Sequence, residues 1–137
     1  MPDSNYNTVL MADDDLEDCM MATEAFAESG AKAAFSCVLD GIELMDHLAA
    51  GREVRGLPSL ILLDLNMPRK DGRKVLIEIK AEPALQNIPI VILTTSKEEK
   101  DIAFCMKAGA KSFITKPASF DEWVKIMKSL AESWLTM

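Results

Sequence analysis

Short apolar runs alternate along the chain with longer stretches in which apolar residues recur every three or four positions. The first run is Val9-Leu10-Met11-Ala12, stopped by Asp13-Asp14-Asp15. From Leu16 to Ser29, Leu16, Met20, Ala22, Ala25 and Phe26 are interleaved with acids, and Gly30 follows, which predicts a helix with a glycine stop. Ala34–Leu39 predicts a second strand, and Gly41–Ala50 a short helix ended by Gly51. Leu60-Ile61-Leu62-Leu63 and Ile90-Val91-Ile92-Leu93 are apolar on both faces, as buried central parallel strands require. Between them, Asp71-Gly72 opens a helix through Val75, Leu76, Ile79 and Lys80, and Pro83 follows it. Glu98–Ala108 predicts a fourth helix ended by Gly109, and Ser112–Thr115 a weaker fifth strand broken by Lys116-Pro117. Ser119 then caps a last helix carrying Phe120, Trp123, Val124, Ile126, Met127, Leu130 and Trp134.

Five β-α units in succession imply an α/β fold with a parallel sheet and helices on both faces. The matching architecture is the flavodoxin-like doubly wound (βα)5 sandwich with strand order 2-1-3-4-5, whose ligands bind at the carboxyl ends of the strands. The expected organisation is a flexible segment over residues 1–7 and one domain over 8–137.

Composition narrows the function. With 15 basic against 22 acidic residues, the net charge of -7 argues against nucleic acid or an anionic membrane as the main partner. The longest apolar runs fall far short of the ~20 residues that span a bilayer, and no signal-peptide pattern opens the chain, so a cytoplasmic location is expected. Cys19, Cys37 and Cys105 lack metal-ligand or C-x-x-C spacing and are expected to be buried, reduced thiols. His47, the single histidine, is expected to be structural or on the surface, and most of the nine methionines to fill the core.

The candidate chemistry lies just past the strands. Asp13, Asp14 and Asp15 follow the first, Asp64 the third, Thr94 the fourth and Lys116 the fifth. On a parallel sheet these groups meet at one rim. Clustered carboxylates raise one another's pKa unless a cation joins them, and hard oxygen ligands of this number favour Mg²⁺. Three negative charges from Asp13, Asp14 and Asp64 are balanced by a divalent cation and Lys116, leaving a site that can accept a phosphoryl group. Without a nucleotide-binding glycine loop, the phosphoryl donor is not expected to be bound ATP, and a carboxylate can itself be the nucleophile.

Asp13-Asp14, the run Leu62-Leu63-Asp64-Leu65-Asn66-Met67-Pro68 with Asp71-Gly72, Thr94, and Phe113 with Lys116-Pro117 together resemble the receiver domain of two-component response regulators over about residues 8–135. Softer features, Leu93-Thr94-Thr95-Ser96-Lys97, the insertion Gly51 to Pro58 and the Trp134-Leu135-Thr136 ending, resemble the stand-alone regulators paired with bacterial phytochrome histidine kinases. The resemblance implies that Asp64 is the phosphoacceptor. It implies Mg²⁺ held by Asp14 and Asp64, by the Asn66 backbone carbonyl, and by Asp13 through water. Lys116 would pair with the phosphoryl group, Thr94 would bond it, and Phe113 would follow Thr94 as the rotamer switch, without the hydroxyl that a tyrosine would bring. Asn66 and Ser96 would tune phosphoryl loss, and the Lys116–Pro117 peptide would be cis.

The resemblance further implies a sensor histidine kinase as partner, of phytochrome type. A downstream protein or phosphotransfer protein is expected, as is a homodimer through the face of the fourth helix, fifth strand and fifth helix. The protein would catalyse only its own phosphorylation and dephosphorylation and otherwise not be an enzyme. The alternative is a receiver-like scaffold that binds partners without phosphorylation.

Overall fold

A computed structural model describes residues 7–53 and 56–135. Ten elements alternate strictly: β1 (Thr8–Ala12), α1 (Leu16–Glu28), β2 (Ala34–Val38), α2 (Gly41–Glu53), β3 (Leu60–Leu63), α3 (Gly72–Ala81), β4 (Ile90–Thr94), α4 (Glu99–Ala108), β5 (Ser112–Thr115) and α5 (Phe120–Trp134). The sheet is parallel throughout, in the order β2-β1-β3-β4-β5. Of the expected flexible segment, residues 1–6 lie outside the described residues, while the Asn7 carbonyl accepts the Ala34 amide at the start of the sheet.

Strand alternation builds two cores. Leu10, Ala12, Ile61, Leu63, Ile90 and Ile92 point to the face covered by α2, α3 and α4, where they meet Leu44, Leu48, Val75, Leu76, Ile79 and Cys105. Val9, Met11, Leu60, Leu62, Val91 and Leu93 point the other way, against Ala22, Ala25 and Phe26 of α1 and Trp123, Met127 and Leu130 of α5. Period-2 side-chain alternation on a doubly covered sheet is why the central strands read as unbroken apolar runs. The edge strands β2 and β5 are only half-buried or exposed along their length, which explains their weaker signal.

Local chemistry sets the helix ends. Asp15 caps α1, its Oδ1 accepting the amides of Glu17 (2.9 Å) and Asp18 (3.2 Å). Asp40 caps α2, its Oδ1 accepting the Glu43 amide (2.9 Å), while Glu43 Oε1 accepts the amide of Leu39, one residue before the cap (3.1 Å). Asp71 and Ser119 cap α3 and α5 by the same means. Gly109 ends α4 with φ 112°, in the left-handed region that closes many helices.

Three expectations need correction. Gly51 does not end α2, which continues to Glu53: a Cβ at Gly51 would lie 2.8 Å from the Gly56 carbonyl, so the glycine serves a close backbone approach and not a stop. Cys19 and Cys37 are joined in a disulfide, because α1 folds back over β1 and β2 and brings their α-carbons to 6.2 Å across 18 residues of sequence. Cys105 is a buried free thiol as expected, and burial pushes its pKa up to about 11. The Lys116–Pro117 peptide is trans, as are all the described peptides; trans is the favoured isomer of an X–Pro bond.

The apolar residues of α5 are largely packed: Trp123 is buried and Trp134 lies half-buried against the α1/α5 core. The large apolar side chains left exposed include Ile102, Phe104 and Met106 on α4 and Leu16 and Met20 on α1. Met11 and Met127 are buried, whereas Met20 and Met106 face solvent, and His47 is exposed on α2.

Candidate phosphoryl-acceptor and metal site

The parallel register carries the acidic, hydroxyl and ammonium groups to one rim, because β1, β3, β4 and β5 are neighbours that all end there. Asp13 and Asp64 follow β1 and β3 directly, and the two strands are pinned beyond their ladder by Asp64 N donating to the Ala12 carbonyl (3.1 Å). Lys116 is placed by its amide, which donates to the Thr94 carbonyl at the end of β4 (2.8 Å).

The Lys116 ammonium is the centre of the site. Its Nζ lies 2.7 Å from Asp13 Oδ2, 2.7 Å from Asp18 Oδ2 and 3.3 Å from Asp64 Oδ2. The side chains of Lys116, Asp13 and Asp64 are all at least nine-tenths buried, so these contacts act in a poorly screened setting. Burial works against the lysine's charge, but hydrogen bonds to Asp13 and Asp18 and the fields of Asp64 and Asp13 outweigh it and raise its pKa. Burial also pushes the Asp13 carboxyl up to about 6, against the opposing pull of Lys116 and the Asp15 amide.

One carboxylate oxygen from each of Asp13, Asp14 and Asp64 lies within 4.8 Å of the others. Two of these acids are buried and Asp14 is exposed, so the cluster opens to solvent on one side. Three carboxylates so spaced, without nitrogen or sulfur donors, suit a hard divalent cation such as Mg²⁺ that keeps part of its water shell. Bound there, it would offset the carboxylate charge and polarise phosphoryl oxygens. Asn66, expected to add its carbonyl, is exposed in the loop after Asp64, and its amide donates to Asp64 Oδ1 (3.4 Å).

Thr94 is fully buried, and its hydroxyl has no hydrogen-bond partner. An orphaned buried hydroxyl costs about 1–3 kcal/mol, so one at the rim of a polar site points to a partner that arrives later. Phe113, one strand over on β5, is half-buried against the core beneath α4.

Gly72 lets α3 approach the loop that follows Asp64. Its amide donates to the Leu65 carbonyl (2.9 Å), and a Cβ at this position would fall 2.2 Å from the Asp64 carbonyl oxygen. In the same loop Arg69 adopts φ 65°, a left-handed conformation uncommon for a non-glycine residue, with its guanidinium 3.2 Å from Asp40.

Two features escaped the sequence reading. Asp18 reaches Lys116 from the first turn of α1, where an acid is already accounted for by the helix dipole. Arg73 at the start of α3 donates from Nε (3.1 Å) and Nη2 (2.8 Å) to Asp101 Oδ1 on α4, and Asp101 Oδ2 accepts the Ser96 hydroxyl (2.7 Å). This network ties the helix after the Asp64 loop to the loop after Thr94. The Arg-x27-Asp spacing carries no local signal.

Residues 9–128 match the response regulator receiver domain family. The chain is a member of that family. It is 34% identical over 129 residues to response regulator Rcp1 of Synechocystis, covering 93% of this chain and 88% of that protein. The phosphorylated cyanobacterial phytochrome response regulator RcpA superposes with a TM-score of 0.85 at 38% identity, over 94% of each chain. Response regulator RPA3017, of red light signalling in R. palustris, gives a TM-score of 0.85 at 32% identity, over 95% of this chain and 94% of that one. The Mn²⁺-bound form of Rcp1 gives 0.83 at 33%, over 96% of each. The receiver fold and the two-component membership expected from the strand-end residues are thus borne out, and the similar proteins include phytochrome response regulators. Among the described residues, no helix is long and apolar enough to cross a membrane.

Proposed function

We propose that this receiver accepts a phosphoryl group from a sensor histidine kinase on Asp64, in a Mg²⁺-dependent reaction, and signals through a changed protein-interaction surface. The observation that carries the reading is the convergence of Lys116 on the buried Asp13 and Asp64 beside the orphaned Thr94 hydroxyl. Asp64 supplies the nucleophile, and Asp13, Asp14, Asp64 and the Asn66 carbonyl hold Mg²⁺. Lys116 neutralises phosphoryl oxygens, and Thr94 donates to one of them. Drawing Thr94 inward leaves room for Phe113 to follow, which repacks the α4–β5–α5 face. On this reading the protein is a phosphoacceptor and not a turnover enzyme.

The likeness to phytochrome response regulators favours a phytochrome-type kinase as donor and a cytoplasmic location. Exposed Ile102, Phe104 and Met106 on α4 favour that face for the downstream protein, a phosphotransfer protein or a second copy of the chain. Incubation with acetyl phosphate and Mg²⁺ tests the core of the proposal by intact-mass spectrometry. Wild type gains one phosphoryl group, and Asp64→Asn gains none. Equal labelling of the two overturns the assignment.

A further inference from the structure

We infer that Asp18 is a positioning residue that keeps the Lys116 ammonium at the acceptor carboxylate when the cation site is filled; the inference rests on the proposed phosphoacceptor role of Asp64. Lys116 has three carboxylate partners, at 2.7 Å (Asp13), 2.7 Å (Asp18) and 3.3 Å (Asp64). Two of these contacts, to Asp18 and Asp64, are hydrogen bonds, and Asp13 Oδ2 faces the ammonium as an ion pair. Asp13 and Asp64 also belong to the Asp13–Asp14–Asp64 cluster whose oxygens gather within 4.8 Å, and Asp18 does not. When that cluster holds a divalent cation, Asp13 and Asp64 attract Lys116 less, and the lysine lies beside a like charge. Asp18 is then the carboxylate that still holds it.

The fold suits Asp18 to this task. Its backbone is fixed in the first turn of α1 by the Asp15 cap, which accepts its amide (3.2 Å). Its carboxylate, 26% exposed, sits at the rim and reaches a lysine whose side chain is 8% exposed and lies 98 residues away in sequence. α1 is itself anchored by Ala22, Ala25 and Phe26 in the core shared with α5, so the anchor does not depend on the loops of the site.

The consequence falls on phosphoryl transfer. An Asp64 carboxylate oxygen attacks phosphorus, the bond from phosphorus to the donor atom (a histidine nitrogen on the kinase) breaks, and its electron pair leaves with the donor. With acetyl phosphate, acetate departs and an acyl phosphate forms on Asp64. The three non-bridging phosphoryl oxygens carry the negative charge that Lys116 must face. A lysine displaced from the rim loses that geometry. Removing one charge-assisted hydrogen bond to it corresponds to about a tenfold fall in rate.

The test compares wild type, Asp18→Asn and Asp18→Ala, each alone and in a Lys116→Ala background. Acetyl phosphate labelling at saturating Mg²⁺ is expected to slow about tenfold in Asp18→Ala and less in Asp18→Asn, which keeps an acceptor oxygen. With Lys116→Ala already present, Asp18→Ala is expected to add nothing. NMR of the lysine ammonium groups reads the anchor without phosphorylation. In Asp18→Ala the Lys116 signal is expected to persist in EDTA and to be lost to solvent exchange on adding Mg²⁺, while wild type keeps it in both. An unchanged Lys116 signal in Mg²⁺-loaded Asp18→Ala, or an undiminished effect of Asp18→Ala in the Lys116→Ala background, overturns the inference. Equal labelling of wild type and Asp64→Asn would instead defeat the phosphoacceptor reading, and the ammonium signal would still decide what Asp18 does.

Discussion

Replacing Asp101 with asparagine removes the charge, with little change of shape, from the contact that joins α3 to α4. Asp101 is 5% exposed, and a single oxygen receives two donors from Arg73 while the other receives Ser96. The hydrogen bond from Ser96, then that from Arg73, holds the Asp101 carboxyl below the usual carboxylate range, outweighing the effect of burial. Breaking a fully buried pair costs roughly 3–5 kcal/mol, and an exposed one contributes roughly 0–1. The Arg73 side chain is 30% exposed and keeps Asp71 as a second partner, so the loss falls between these limits, at about 2 kcal/mol. For a chain of this size each kcal/mol moves Tm by about 3–4 °C, which predicts a fall of about 7 °C at pH 7. The sign with pH follows from the depressed pKa. The stabilisation is complete above the unfolded value and is lost as pH falls through the folded one. Urea unfolding of wild type and Asp101→Asn, at steps from pH 7 to pH 3, should therefore show a gap that closes below about pH 4. Equal stability at pH 7 would refute the argument, and so would a gap that stays constant down to pH 3, since shape and not charge would then be responsible.

Asp13 carries the opposite sign. Its carboxyl is raised from 3.8 to about 6, first by burial, so the ionised form destabilises the metal-free protein, and this penalty builds as pH rises from 3.8 to about 6 and is complete above that. Asp13→Asn in EDTA should be more stable than wild type at pH 8, by up to about 3 kcal/mol, with about half of the gain left at pH 5 and little of it below about pH 3.8; chemical denaturation at these three values checks it. Gly72→Ala should destabilise by about 3 kcal/mol or more despite alanine's better helix propensity of about 1 kcal/mol, because the new Cβ meets backbone at 2.2 Å and 2.8 Å and α3 must retreat from the loop after Asp64. A Gly72→Ala protein as stable as wild type to urea would mean that the approach of α3 to Asp64 is not tight.

Most of the architecture was legible because its signals are local. Leu60–Leu63 and Ile90–Leu93 read as buried strands since every residue in them is buried, and Asp71 and Ser119 read as helix starts since capping is decided within three residues. Where a residue's role depends on something distant, the reading failed. Gly51 resembled a stop until the Gly56 backbone was seen beside it, and Cys19 and Cys37 resembled separate thiols until α1 brought them together.

Sequence alone determined that Asp13, Asp14, Asp64, Thr94 and Lys116 share one rim, since each follows a strand and parallel strands end together. Tertiary structure alone decided which charges touch. Lys116 takes Asp18 at 2.7 Å, and Arg73 takes Asp101 at 2.8 Å. The Cys19–Cys37 link also appears only in the folded chain. The physical reason is helix phase. The turn at which a helix starts and the face it buries fix where each of its side chains points, and neither can be read from two positions 98 residues apart.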